Sequence, residues 1–143
     1  MVNSLKLRLK AAILPHSIVA VYIYGSILKG KFRTESDVDI AFLPLPGLSN
    51  QRKLRLISKV EAVFTTLLKD IGIDKEVSVL DMRGKYTSIE LLYRIVSEGM
   101  LLYDIDISQR LEFENTVKRE YFDFAPYLKN LRERKYGHLY QKA

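Results

Sequence analysis

The sequence predicts a small α/β fold of the α+β kind: a mixed β-sheet backed by helices on one face, with a long C-terminal helical region. Three observations carry this. Short β-branched and aromatic runs recur at 19–24, 37–43 and 76–80. Between and after them lie stretches whose apolar residues return every three or four positions. The chain has 143 residues, 48% of them hydrophobic and 28% charged. That is one domain of ordinary globular composition, long enough to bury a core without staples. We therefore expect one domain over 1–143, with the helical extension at about 108–143.

The elements follow in order. Residues 4–14 predict a short helix that stops before Pro15. Val19 to Tyr24 predicts a buried strand, ended by Gly25-Ser26. Residues 27–36 are polar around Gly30 and predict a loop with one helical turn. Asp37 to Leu43 predicts a second strand, broken by Pro44, Pro46 and Gly47. Ile57, Val60, Phe64, Leu67 and Ile71 define an amphipathic helix over 50–71, with Gly72 as its C-terminal stop. Glu76 to Leu80 predicts a third strand. Thr87 with Glu90 forms a capping box for a helix to Glu98, closed by Gly99. Residues 101–103 predict a short edge strand. From Ser108 onward the helical spacing runs through Phe113, Val117, Tyr121, Phe124, Leu128 and Leu131, and Pro126 should kink or split it.

Composition narrows the function classes. There are no cysteines and two histidines, so disulfide scaffolds, thiolate metal sites and three-histidine zinc sites are excluded. The net charge is +6 and unevenly placed. Residues 1–36 carry six Lys/Arg against one Glu, residues 129–143 five against one, and the middle is mildly acidic. Basic ends suit nucleic acid, a membrane surface or a phosphate-rich ligand. Residues 11–28 have no charged side chain, but Pro15-His16-Ser17 interrupts them. They read as helix, turn and strand rather than as a leader or a membrane span. A cytoplasmic protein without membrane association is the expectation.

The chemistry concentrates in Tyr24-Gly25-Ser26 followed ten residues later by Asp37-Val38-Asp39. Alternate residues of a strand share a face, so Asp37 and Asp39 project together, about 7 Å apart. Such an oxygen-rich pair suits Mg²⁺, which keeps waters and takes substrate phosphates as further ligands. Gly25 lets the backbone approach a phosphate, and Ser26 offers a hydroxyl and an amide. Lys29, Lys31 and Arg33 add positive charge nearby. Together these residues point to a nucleoside triphosphate with Mg²⁺. His16 and His138 read as turn and tail residues. Tyr136 and Tyr140, set among the cations of 129–142, could meet RNA or an acidic protein groove.

This stretch resembles the signature of the polymerase β-like nucleotidyltransferase superfamily. More closely, it resembles the minimal nucleotidyltransferases of the MntA antitoxin type, which pair with HEPN-domain HepT toxins. The resemblance extends to Val77-Ser78-Val79-Leu80-Asp81-Met82, to Glu90–Gly99 with Leu101-Leu102-Tyr103, and to Arg110, Phe113, Glu114, Tyr121 and Asp123. It implies a polymerase β-like fold, with Gly25 and Ser26 holding the triphosphate and Asp37 and Asp39 binding Mg²⁺. It also implies AMP transfer from ATP to a tyrosine of the toxin, which silences the toxin's ribonuclease. The family's third carboxylate falls where this chain has Ser78. Glu76, two residues earlier, is the candidate to replace it, whereas Asp81 falls on the opposite face and reads as structural. The alternatives are an antitoxin that acts by docking alone and a nucleotidyltransferase acting on a small molecule or RNA. Plain nucleic-acid binding is not favoured.

Overall fold

A computed structural model describes residues 1–29 and 37–140, with side chains over 1–28 and 37–134. Helix α1 (Val2–Ala11) leads into strand β1 (Ile18–Tyr24) and a 3-10 turn (Ser26–Lys29). Strand β2 (Val38–Pro44) and helix α2 (Asn50–Asp70) follow. The rest is β3 (Val77–Asp81), α3 (Ile89–Glu98), β4 (Met100–Asp104) and α4 (Ile107–Tyr140). The sheet order is β3-β2-β1-β4. β1 runs antiparallel to β2 and β4, while β2 and β3 are parallel. The mixed sheet and the edge position of β4 agree with expectation.

Helices cover both faces of this sheet, which corrects the expectation of one. On one face Leu5 and Leu9 of α1 and Val60, Phe64 and Leu68 of α2 pack on Val21, Ile23, Ile40 and Phe42. On the other, Ile95 of α3 and Phe113 of α4 pack with Ala20, Tyr22, Ala41 and Leu43. The physical reason lies in β1 itself. Six of its seven residues are fully buried, and a continuous apolar run, unlike an alternating one, requires cover on both sides.

Local details also refine the expectations. Helix α2 ends in a Schellman motif: the Ile73 N–H donates to Leu68 O (2.8 Å) and the Gly72 N–H to Lys69 O (3.0 Å). Gly72 takes the positive φ this requires, +84°. At α3 the cap is Ser88, whose hydroxyl accepts from the Leu91 N–H. Thr87, the expected cap, instead donates its hydroxyl to Asp81 O at 3.0 Å. Gly99 ends α3 with an ordinary φ of −72°. It must be glycine because a Cβ there would strike the carbonyl oxygens of Ile95 and Ile23. Helix α4 continues through Pro126 without a break. Asp81 is structural, as expected, bonding the Arg83 N–H at 2.8 Å and lying 3.6 Å from Lys53 Nζ.

One polar network ties α4 to the sheet. The Tyr22 hydroxyl donates to Glu114 Oε1 at 2.5 Å inside the core. Arg110 bridges Glu114 (3.1 Å) and Asp104 (2.6 Å). Burial and the Glu114 carboxylate hold the Tyr22 phenol far above its ordinary range, so it stays a donor. Tyr22→Phe removes that donor and leaves Glu114 partly unsatisfied. It should lower stability by about 1–3 kcal/mol, read from denaturant unfolding.

Candidate active site

The site is assembled at one end of the sheet by strand direction. Because β1 and β2 are antiparallel, the C-terminal end of β1 meets the N-terminal end of β2, and Tyr24 pairs with Asp39. Because β3 runs parallel to β2, it starts at the same end, and Ser78 pairs with Asp39 from the other side. The Gly25-Ser26 turn and the carboxylates of Asp37 and Asp39, eleven or more positions apart in sequence, therefore adjoin.

Gly25 is the tightest point. It has a φ of +87°, a conformation that side-chain-bearing residues avoid. A Cβ at this position would collide with the Asp39 carboxylate. The glycine thus serves twice, for the turn and for the space the carboxylate fills. Ser26 opens the 3-10 turn, in which the Leu28 N–H donates to Gly25 O at 3.2 Å. Ile27 anchors this turn in the core.

Asp37 is exposed just before β2, and Asp39 is half-buried on the α3 side of the sheet. Burial pushes the Asp39 carboxyl above its ordinary range, and the charge of Asp37 adds to the shift. The neighbouring Tyr24 phenol is raised by burial and then by the Asp39 charge. A half-buried carboxylate with a second acid close by forms a site a divalent cation would stabilise. The donor set, hard oxygens only, fits Mg²⁺. Among the described residues no group of three or more His, Cys, Asp or Glu side chains is placed to hold a metal ion. Glu76 therefore does not complete a triad with the pair. It precedes β3 at the same end, its carbonyl accepting from the Val38 N–H at 2.9 Å and its side chain exposed. Ser78 stands exposed beside Asp39 in the register.

A cleft of about 550 Å³ opens beside the turn, lined by Tyr24, Gly25, Ser26, Leu28, Arg94, Glu98 and Gly99. The sequence reading missed Arg94 and Glu98. Their spacing of four on an amphipathic helix was the available signal, and it says nothing about which end of the sheet α3 reaches. Lys31 and Arg33 lie outside the described residues, as does the Lys29 side chain. So do the side chains of Tyr136, His138 and Tyr140. His16 lines a separate cleft near α1 and β4.

Residues 9–108 match the family described as polymerase beta, nucleotidyltransferase. The chain belongs to this family. No curated protein sequence matches the chain closely enough to show a relation. Solved structures share its fold. One is a toxin–antitoxin complex with AMP-PNP, at 23% identity and a TM-score of 0.59, covering 96% of this chain and 97% of that one. Another contains a tri-AMPylated Shewanella oneidensis HEPN toxin with its MNT antitoxin, at 20% identity and a TM-score of 0.56, covering 97% and 98%. A third is the MntA–HepT toxin–antitoxin complex, at 20% identity and a TM-score of 0.52, covering 96% and 95%. Membership makes the protein a nucleotidyltransferase with the polymerase β-like fold. No described helix is long and apolar enough to cross a membrane.

Two outcomes follow from this geometry. An acid whose pKa rises on folding costs stability when ionised. Asp39→Asn should therefore raise the thermal midpoint in chelator by about 2–4 °C, and Mg²⁺ should raise the midpoint of the wild type but not of the variant. Gly25→Ala combines a disfavoured φ with a displaced carboxylate. It should cost about 1–3 kcal/mol in denaturant unfolding and abolish the Mg²⁺ response.

Proposed function

We propose that this nucleotidyltransferase transfers AMP from ATP to a tyrosine of a partner HEPN-domain ribonuclease toxin, and so acts as its antitoxin. The observation that carries the reading is the Asp37–Asp39 pair held against the Gly25-Ser26 turn at one end of the sheet. The structural likeness to toxin–antitoxin complexes, one with AMP-PNP and one with an AMPylated toxin, supports the choice of donor and acceptor. Both likenesses extend over nearly the whole of each chain, so we take 1–143 as the unit that acts.

In this reading Gly25 and Ser26 receive the triphosphate through backbone amides and a hydroxyl. Asp37 and Asp39 would hold Mg²⁺, which when bound would supply positive charge against the phosphates. The tyrosine oxygen forms a bond to the α-phosphorus as the bond to the pyrophosphate oxygen breaks. The phenolic proton passes to a base, for which Glu76, at the same end of the sheet, is the candidate in this chain. The site of action is the cytoplasm, where ATP and such a toxin meet.

One observation favours a second reading. Ser78 stands where a third carboxylate is usual in the family, and among the described residues no third acid joins the pair in a metal-holding group. A protein with a weakened centre could neutralise the toxin by docking alone.

Incubation with α-labelled ATP, Mg²⁺ and the neighbouring HEPN protein separates the two. Transfer predicts label on the partner, lost at least about 100-fold in Asp37→Asn/Asp39→Asn, and about 10–100-fold in Glu76→Gln if that residue takes the proton. An unlabelled partner, with the double variant still protecting cells that express it, would establish docking and overturn transfer.

A further inference from the structure

The cleft beside Gly25 and Ser26 has a charged wall that the sequence motif does not supply. Helix α3 contributes Arg94 and Glu98, one turn apart, to the same cleft as the turn. Most of the arginines on this side of the sheet are engaged: Arg83 donates to Pro44 O, Arg110 to Asp104 and Glu114, and Arg132 to Glu90. Arg94 has no hydrogen bond or ion pair among the described residues, not even with Glu98. It is an exposed guanidinium at the rim of the cleft.

We propose that Arg94 binds the phosphate tail of the nucleotide, the part that leaves as pyrophosphate; this rests on the donor-site reading above. A guanidinium offers only donors, in a fork that matches two phosphate oxygens. The Gly25-Ser26 turn lines the same cleft, and a serine amide and hydroxyl are donors as well. The location needs such a cation. The cleft takes in Glu98 and Gly99 at the C-terminal end of α3, where the helix presents unpaired carbonyls and a partial negative charge, and Arg94 stands one turn before that end. Phosphate is disfavoured there unless a cation stands between. Glu98, one turn on, repels phosphate and accepts from hydroxyls, so the wall sorts an anionic part of a ligand from a hydroxyl-bearing part. Arg94 makes and breaks no bond in this role. It holds charge that grows on the leaving group as the α-phosphorus is transferred.

Arg94 also lines a second cleft of about 330 Å³ between α3 and α4, with Tyr121 and Lys129 on its far side. A role there would serve the partner rather than the nucleotide, and the test separates the two. Calorimetric binding of ATP, inorganic pyrophosphate and AMP, each with Mg²⁺, is measured on the full chain for wild type, Arg94→Gln and Arg94→Lys. The proposal expects Arg94→Gln to weaken ATP and pyrophosphate about 10-fold or more, to leave AMP unchanged and to keep the thermal midpoint. Arg94→Lys should recover part of the loss, because charge returns without the fork. Unchanged ATP and pyrophosphate binding in Arg94→Gln, or an equal loss for AMP, overturns the proposal. A wild type that binds none of the three overturns the donor-site reading itself.

Discussion

A carboxylate occupies the space where a side chain at position 25 would stand, and the working end of this protein depends on that. Gly25 can take its left-handed φ and leave the volume empty. Asp39 fills it from the neighbouring strand. The contact joins the Gly25-Ser26 turn after β1 to the acidic pair at the start of β2 without a linking side chain. It also explains why Asp39 is half-buried and why its proton is held above the ordinary range. A turn open only to glycine and a desolvated carboxylate sit together, as they do where a fold has been shaped around a ligand.

The rest of the structure keeps that contact in place. Two hydrophobic layers, one under α1 and α2 and one under α3 and α4, sandwich β1 and β2. On the second side the Tyr22–Glu114–Arg110–Asp104 chain of polar contacts adds direction to the packing. A slide of α4 along the sheet would separate Glu114 from the Tyr22 hydroxyl and Arg110 from Asp104 in a low-dielectric region, where unpaired polar groups are costly. Fixing α4 fixes α3 through the stacked Tyr93 and Tyr121 rings, 3.9 Å apart. Helix α3 in turn carries Arg94 and Glu98 to the cleft beside Gly25 and Ser26.

Much of this was legible in the sequence because the signals were local. Gly25-Ser26 and Asp37-Val38-Asp39 sit on adjacent strands, and strand alternation alone places both carboxylates on one face. The apolar spacing of α2 and the Gly72 stop were equally local. What stayed hidden depends on tertiary placement. Thr87 and Ser88 are both good caps, and only the turn after β3 decides that Thr87 bonds Asp81 instead. Cover on the second face of the sheet was written in the unbroken apolar run of β1, but helix spacing does not say which face a helix takes. Arg94 looked like an ordinary charge on an amphipathic helix. Its position in the cleft follows from how far α3 runs before β4 pairs with β1, a distance no local pattern encodes. Glu76 shows the converse limit, since alternation puts it on the right face while the strand begins one residue later.

The central place of β2 has a consequence for motion. This strand is hydrogen-bonded on both sides, to β1 and to β3, and Asp39 lies where both ladders still hold. Its amide can exchange with solvent only when the sheet opens, which in a small domain means near-global unfolding. The Asp39 backbone is therefore slow to loosen, while Asp37, exposed just before the strand, lies outside both ladders. Fluctuations that admit nucleotide or partner must occur in the segments around that backbone, and the Asp39 carboxylate meets each arriving ligand from a fixed frame.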